Sequence, residues 1–184
     1  GAPYSIKLRW RAHKGAPYRW FQAYSSPVKD TDGNIKYWMG ATMDIHEHEE
    51  AHALVEEKNI AFQFLADVMP HMVWRTDANG FHNYFNQRWV EYTGYNVERS
   101  LGTEMWNNLL HPEDQEHARR VWTHSLETGD PYEIEYRFKR ASDGAWRWFL
   151  ARALPLRNET GEIVQWYGTC TDIEDKKHTE RQLE

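Results

Sequence analysis

Alternation of apolar and polar residues with a period of two marks the C-terminal half of the chain. In "YEIEYRFKR" (132–140) Ile134, Tyr136 and Phe138 alternate with charges, as a half-buried strand requires. A Ser-Asp-Gly turn leads to "WRWFLARALPL" (146–156), and Asn158-Glu159-Thr160-Gly161 leads to "IVQWYGTCT" (163–171), so two hairpins join three strands. Upstream, "MVWRT" (72–76) and "FHNYF" (81–85) flank Asp77-Ala78-Asn79-Gly80 and predict another hairpin. Short helical stretches follow at "NQRWVEYT" (86–93) and "MWNNLL" (105–110). A longer helix starts after His111, with Pro112 in its first turn and Glu113 and Asp114 complementing its dipole. Hairpin, helices and three strands together predict an α+β domain. Within "RWFLARAL", Phe149, Ala151 and Ala153 share one face and Trp148, Leu150 and Leu154 the other. The second set is too apolar for open solvent and predicts a cover.

The same pattern occurs twice. "YRWFQAYSSPVKDTDGNIKYWMGATMDI" (18–45) aligns without a gap with "WRWFLARALPLRNETGEIVQWYGTCTDI" (146–173) at a constant offset of 128. Identities include Arg19/Arg147, Trp20/Trp148, Phe21/Phe149, Gly33/Gly161, Trp38/Trp166, Gly40/Gly168 and Asp44/Asp172, and the offset extends back to Pro3-Tyr4 and Pro131-Tyr132. Such spread over strand and turn positions indicates internal duplication. The first copy has only the three strands, and the chain opens without Met, which reads as a fragment of something longer.

Residues 46–69 are rich in Glu, His and Ala. Leu54, Ala61 and Val68 recur every seven residues with Leu65 near the same face, predicting an amphipathic helix whose short coiled-coil seam is interrupted by Lys58. This helix carries His48-Glu49-Glu50-Ala51-His52, which satisfies H-E-x-x-H, the spacing that puts two imidazoles and a glutamate on one helix face in zinc hydrolases. No third ligand follows at a short, helix-like spacing. The expected state is therefore a solvated face, with adventitious nickel or zinc at His48 and His52 at most. The final "DIEDKKHTERQLE" begins another helix.

Composition narrows the function. A net charge of −6 argues against nucleic acid, since phosphate binding needs a basic face. No apolar run approaches the length of a membrane span. One cysteine, Cys170, excludes an internal disulfide and fits a reducing, cytoplasmic compartment. Ten tryptophans allow a well-filled core.

The runs "MVWRTDANGFHNYFNQRWVEYTGY", "WNNLLHPEDQ", "EYRFKRASDGAWRWF", "ALPLRNETGEI" and "GTCTDIEDKK" together resemble a PAS domain of the subtype found in bacterial sensor histidine kinases and diguanylate cyclases. The resemblance covers residues 60–178, and residues 3–46 resemble only the last three strands of a second such domain. It implies a five-stranded antiparallel sheet with short helices packed on one face, and a sensing or dimerising role without catalysis. The expected division is a truncated PAS domain over 1–46, a linker helix over 47–69, a complete PAS domain over 70–174 and the start of an exit helix over 175–184. It further implies a homodimer through linker helices and the outer sheet face, with a downstream effector domain in the same chain.

Trp74, Trp89 and Trp106, with Phe149, Ala151, Ala153 and Cys170 on the facing strands, could line a pocket of the PAS type. No cofactor is expected there. Flavin is the alternative, because His111 followed by Trp122 resembles FAD-binding aerotaxis receptors, although Trp122 at helical spacing suits core packing. The photoactive cysteine of the light-oxygen-voltage branch is missing. His117, the nearest counterpart of the haem-ligating histidine, stands about one position out of register, roughly 100° round the helix. Cys170 falls where flavin-binding members carry a pocket-facing glutamine, and is expected instead as a small core residue beside Trp166 and Gly168.

Overall fold

The structure is a computed structural model and describes residues 2–102 and 108–183. Its elements follow in the order β1 (Tyr4–Trp10), β2 (Arg19–Lys29), β3 (Ile35–Asp44), α1 (His46–Val68), β4 (Met72–Asp77), β5 (His82–Phe85), α2 (Gln87–Thr93), α3 (Val97–Ser100), α4 (Pro112–Thr128), β6 (Tyr132–Lys139), β7 (Trp146–Arg157), β8 (Ile163–Asp172) and α5 (Glu174–Leu183). They fall into two compact units, Gly1–Phe62 and Gln63–Glu184, with the divide inside α1. Residues 105–107 of the stretch 105–110 lie outside the described residues, and α3 is an element that the sequence pattern did not announce.

The first unit contains an antiparallel sheet of order β1-β2-β3 followed by most of α1. Leu54, Leu65 and Val68 of the predicted seam are exposed along α1. The second unit contains an antiparallel sheet of order β5-β4-β8-β7-β6. This is the expected α+β, five-stranded arrangement. Alternation along β6 is nearly ideal: Tyr132, Ile134, Tyr136 and Phe138 are buried, while Glu133 and Lys139 are exposed. The helical layer packs on that inner face, where Trp89 of α2 and Ala118 of α4 join the sheet residues in one core.

Local chemistry sets the element ends. His111 caps α4, its Nδ1 accepting from the Glu113 amide at 3.3 Å, and Gly129 closes the helix in the left-handed region at φ 78°. Asp77 holds the β4–β5 turn by accepting from the Asn79 and Phe81 amides, both at 2.9 Å. Asn86 is a fully used buried amide. Its oxygen accepts from the Val73 and Trp89 amides, and its nitrogen donates to the Ala66 and His71 carbonyls at 2.8 and 3.0 Å. It thereby ties the end of α1 to β4 and α2.

The duplication is preserved in register. Every pairing of β1 with β2 and of β2 with β3 reappears 128 residues later, including the bulge at Val28/Lys29, which recurs at Leu156/Arg157. Arg19 donates to Asp44 as Arg147 does to Asp172, each at 2.7 Å. Side-chain period and turn chemistry determine register locally, so equal sequence patterns give equal pairing.

Candidate functional site

The space between sheet and helices in the second unit is occupied by aromatic rings. Trp122 of α4 meets Trp74, Tyr132 and Trp166 edge-on, with centroids 5.5, 5.0 and 5.3 Å away. Trp74 lies over Gly168, where an added Cβ would fall 2.3 Å from the indole. The glycine is therefore required for close approach of the ring to β8, not for backbone freedom. Phe85 stacks on Trp89 at 4.3 Å, and Phe138 and Phe149 continue the cluster. The Trp89 indole donates to Ser100 Oγ at 2.9 Å.

Of the residues expected to line a pocket, Trp74, Trp89, Phe149, Ala151, Ala153 and Cys170 are all buried in this one core. Trp106 lies outside the described residues. The structure thus brings the described members together as mutual packing partners. Small residues on β7 and β8 (Ala151, Ala153, Gly168, Cys170) make the room that the tryptophans fill.

Cys170 pairs across the strand with Ala151 and faces Tyr136, whose hydroxyl lies 3.4 Å from the sulfur. Burial pushes its thiol up to about 11, which keeps it protonated and unreactive at neutral pH. Trp166 and Gly168 share its buried face, as the strand register predicts. His117 is exposed on α4, consistent with its out-of-register position.

One buried titratable group was not singled out by the sequence. His82 is 1% exposed, stacks on Phe85, and sits 3.0 Å through Nδ1 from the Gly102 carbonyl. Burial lowers its pKa from 6.5 to about 4, so the ring is neutral at pH 7. Strict alternation along "FHNYF" sets His82 out of phase with Phe85, three residues later; the irregular pairing opposite Arg75 and Thr76 turns both inward.

A second missed feature is the clamp between α4 and β6. Arg137 donates to Asp114 through Nε at 2.9 Å and through a terminal nitrogen at 2.7 Å, reaches Glu113 at 2.9 Å, and lies over the Trp148 ring. Burial tends to raise the Asp114 pKa, but these hydrogen bonds prevail and hold it below the ordinary value. His48 and His52 lie on α1, and among the described residues no group of three His, Cys, Asp or Glu is placed to hold a metal ion. No helix among the described residues is long and apolar enough to cross a membrane.

A sheet of order β5-β4-β8-β7-β6, with helices over one face and an aromatic core, is a specific topology. Residues 82–170 match the family model described as the PAS fold. The second unit is a PAS domain. The chain is similar to three curated proteins. One is the uncharacterized protein y4lL of Sinorhizobium fredii (29% identical, covering 99% of this chain and 22% of that protein). Another is the peroxide stress-activated histidine kinase mak1 of Schizosaccharomyces pombe (28%, covering 91% and 11%). The third is the probable diguanylate cyclase DgcE of Escherichia coli (25%, covering 98% and 16%). The chain therefore spans less than a quarter of the length of these relatives. Among solved structures, it resembles a sensory box histidine kinase/response regulator from Burkholderia thailandensis, with 27% identity and a TM-score of 0.50 over 66% of this chain and 91% of that one. A PAS sensory module of the kind carried by signal-transduction proteins accounts for the fold and these likenesses, whereas a zinc hydrolase built on His48 and His52 does not.

Proposed function

We propose that this chain regulates an effector domain in the same polypeptide, such as a histidine kinase, by passing the packing state of the PAS core to the helix that leaves it. The observation that carries this reading is the tie between β7, β8 and α5. The Ile173 amide donates to the Trp148 carbonyl at 2.9 Å, Glu174 accepts from the Trp148 amide at 2.8 Å, and Asp172 accepts from Arg147. On the same two strands Phe149, Ala151, Trp166 and Cys170 face the core. A repacking of the core reaches α5 through two peptide units, with no catalytic group needed in the module.

In this reading the core holds no stoichiometric cofactor. The interdigitated rings of Trp74, Trp122 and Trp166 support that, and an absorption spectrum of freshly purified protein tests it; a flavin or Soret band at one chromophore per chain overturns it. The module works as a cytoplasmic homodimer. Exposed Leu54, Phe64, Leu65 and Val68 on α1, and Leu154 and Leu156 on the outer sheet face, support self-association. Light scattering of the whole chain checks this, and a strict monomer contradicts it. For the regulatory role, the chain is joined through α5 to a histidine-kinase core and autophosphorylation is compared with a Trp74→Phe fusion. An altered rate is expected. An unchanged rate in a fusion whose core packing has measurably shifted would refute the reading.

A further inference from the structure

The anchors that tie each sheet to the helix leaving it recur at the offset of 128, and one recurs with its charges exchanged. Ile45 and Ile173 each donate an amide to a tryptophan carbonyl, Trp20 and Trp148, at 2.9 Å. Asp44 and Asp172 each accept from the second residue beyond, His46 and Glu174, at 3.0 Å. These anchors are chemically interchangeable between the copies. One turn further, Lys7 on β1 meets Glu49 on α1 at 2.5 Å, and at the matching positions Glu135 on β6 meets Lys177 on α5 at 2.5 Å. Lys177 also lies over the Trp148 ring and within 3.8 Å of Glu180.

We propose that this reversed ion pair makes each outgoing helix specific for its own sheet. Two sheets with the same register and the same backbone anchors present nearly the same dock. A helix from the other copy, in the same chain or in a second one, would fit it in shape. Mis-docking would set Lys177 against Lys7, or Glu49 against Glu135, replacing attraction by repulsion at a fixed distance. Exposed pairs are individually weak, but discrimination depends on the difference between an attractive and a repulsive pair, which about doubles the leverage of each. The inference rests on the two junctions and not on the nature of the effector.

The test is amide hydrogen exchange on the whole chain at low salt. Glu49→Lys and Lys7→Glu should each lower protection of the first turns of α1 by about three- to ten-fold, the scale of turning one exposed ion pair repulsive. The double variant Lys7→Glu/Glu49→Lys should recover to within about two-fold of the parent. Additive losses in the double variant overturn the pairing. That same double variant gives both copies one polarity, so after refolding at high concentration it should contain more exchanged, higher oligomer than the parent. Reversing all four positions restores opposite polarity and should return that fraction to the parent's level. Equal fractions in all three chains overturn the specificity.

Discussion

The sheet β1–β3 and the sheet segment β6–β8 are built from one pattern and have opposite fates. Tyr132, Ile134, Tyr136 and Phe138 of β6 are buried, whereas of their counterparts on β1 Tyr4, Ile6 and Trp10 are exposed and Leu8 is half-buried. Trp166 has no exposed surface and Trp38, at the same place in the repeat, is 46% exposed. Pairing register, bulge, the turn of the second hairpin and the Arg–Asp pair are equal in both, so none of these depends on what lies above the sheet. Burial does. In the second unit β4 pairs with the outer edge of β8 and lays Trp74 over Gly168, and α2 and α4 close the face. Among the described residues the first unit has no equivalent of β4 and its tryptophan. A β-pattern therefore encodes its own ladder, while a core needs partners from elsewhere in sequence.

Alanine at the matched tryptophans breaks this comparison most strongly. Trp166→Ala removes a fully buried indole and is expected to cost the second unit about 3–5 kcal/mol. Trp38→Ala should cost about 1 kcal/mol or less, as at other exposed positions. Denaturant unfolding, resolved by unit through hydrogen exchange, measures both. An equal cost at Trp38 would mean that the first sheet's inner face is covered in solution.

That asymmetry also separates what was legible in the sequence from what was not. Period-two alternation and turn residues located the strands, and Pro112 with Glu113 and Asp114 located the start of α4. Parity put Phe149, Ala151 and Ala153 on one face, and only the resemblance to PAS domains implied that this face, with Cys170, meets the helices. Parity could not say whether Trp74, Trp89 and Trp122 wall a cavity or fill one, because that depends on volumes contributed by four separate elements. His82 and the Arg137–Asp114 clamp were illegible for the same reason: each is defined by a partner 20 or more residues away. The short α3 has a capping Asn96 but too few residues for any period to show.

Acid sharpens the comparison next, since His82 has no counterpart in the first sheet. Its folded pKa, about 4, lies below the unfolded 6.5, so between these values the unfolded chain binds the extra proton. Stability of the second unit should be full above pH 6.5 and fall as pH drops towards 4, by up to about 3 kcal/mol from this group. Unfolding midpoints across that range measure the slope. His82→Phe, which keeps a ring beside Phe85, should flatten it, and an unchanged slope would locate the proton elsewhere.

A smaller contrast is expected at the matched arginines. Arg9 and Arg137 both lie over a tryptophan, Trp20 and Trp148, at 5.4 and 5.1 Å, but Arg137 is also held by Asp114 on α4. Arg137→Ala should cost about 2 kcal/mol, the range of charge-assisted hydrogen bonds at a partly buried site. Arg9→Ala should stay within about 0.5 kcal/mol, as for ordinary surface changes. Asp114→Asn separates charge from packing, because it leaves Arg137 over its tryptophan.

The least disruptive substitution gives the sharpest reading of the two faces. Cys170 has Thr42 as its counterpart, and the two occupy the same register, opposite Ala151 and Ala23. Cys170 is buried with a raised thiol pKa, and Thr42 is exposed. Thr42→Cys should hardly change stability, since a small side chain replaces another at a solvent-facing position. Thiol labelling of that variant in native buffer should show two classes: a fast thiol at the introduced site and a slow one at Cys170 that reacts only as the unit opens. In denaturant the two should converge. If the introduced thiol is instead as slow as Cys170 in native buffer, and becomes faster on dilution, the first sheet is capped by a second chain. The difference between the two copies would then lie in where the cover comes from, and not in whether there is one.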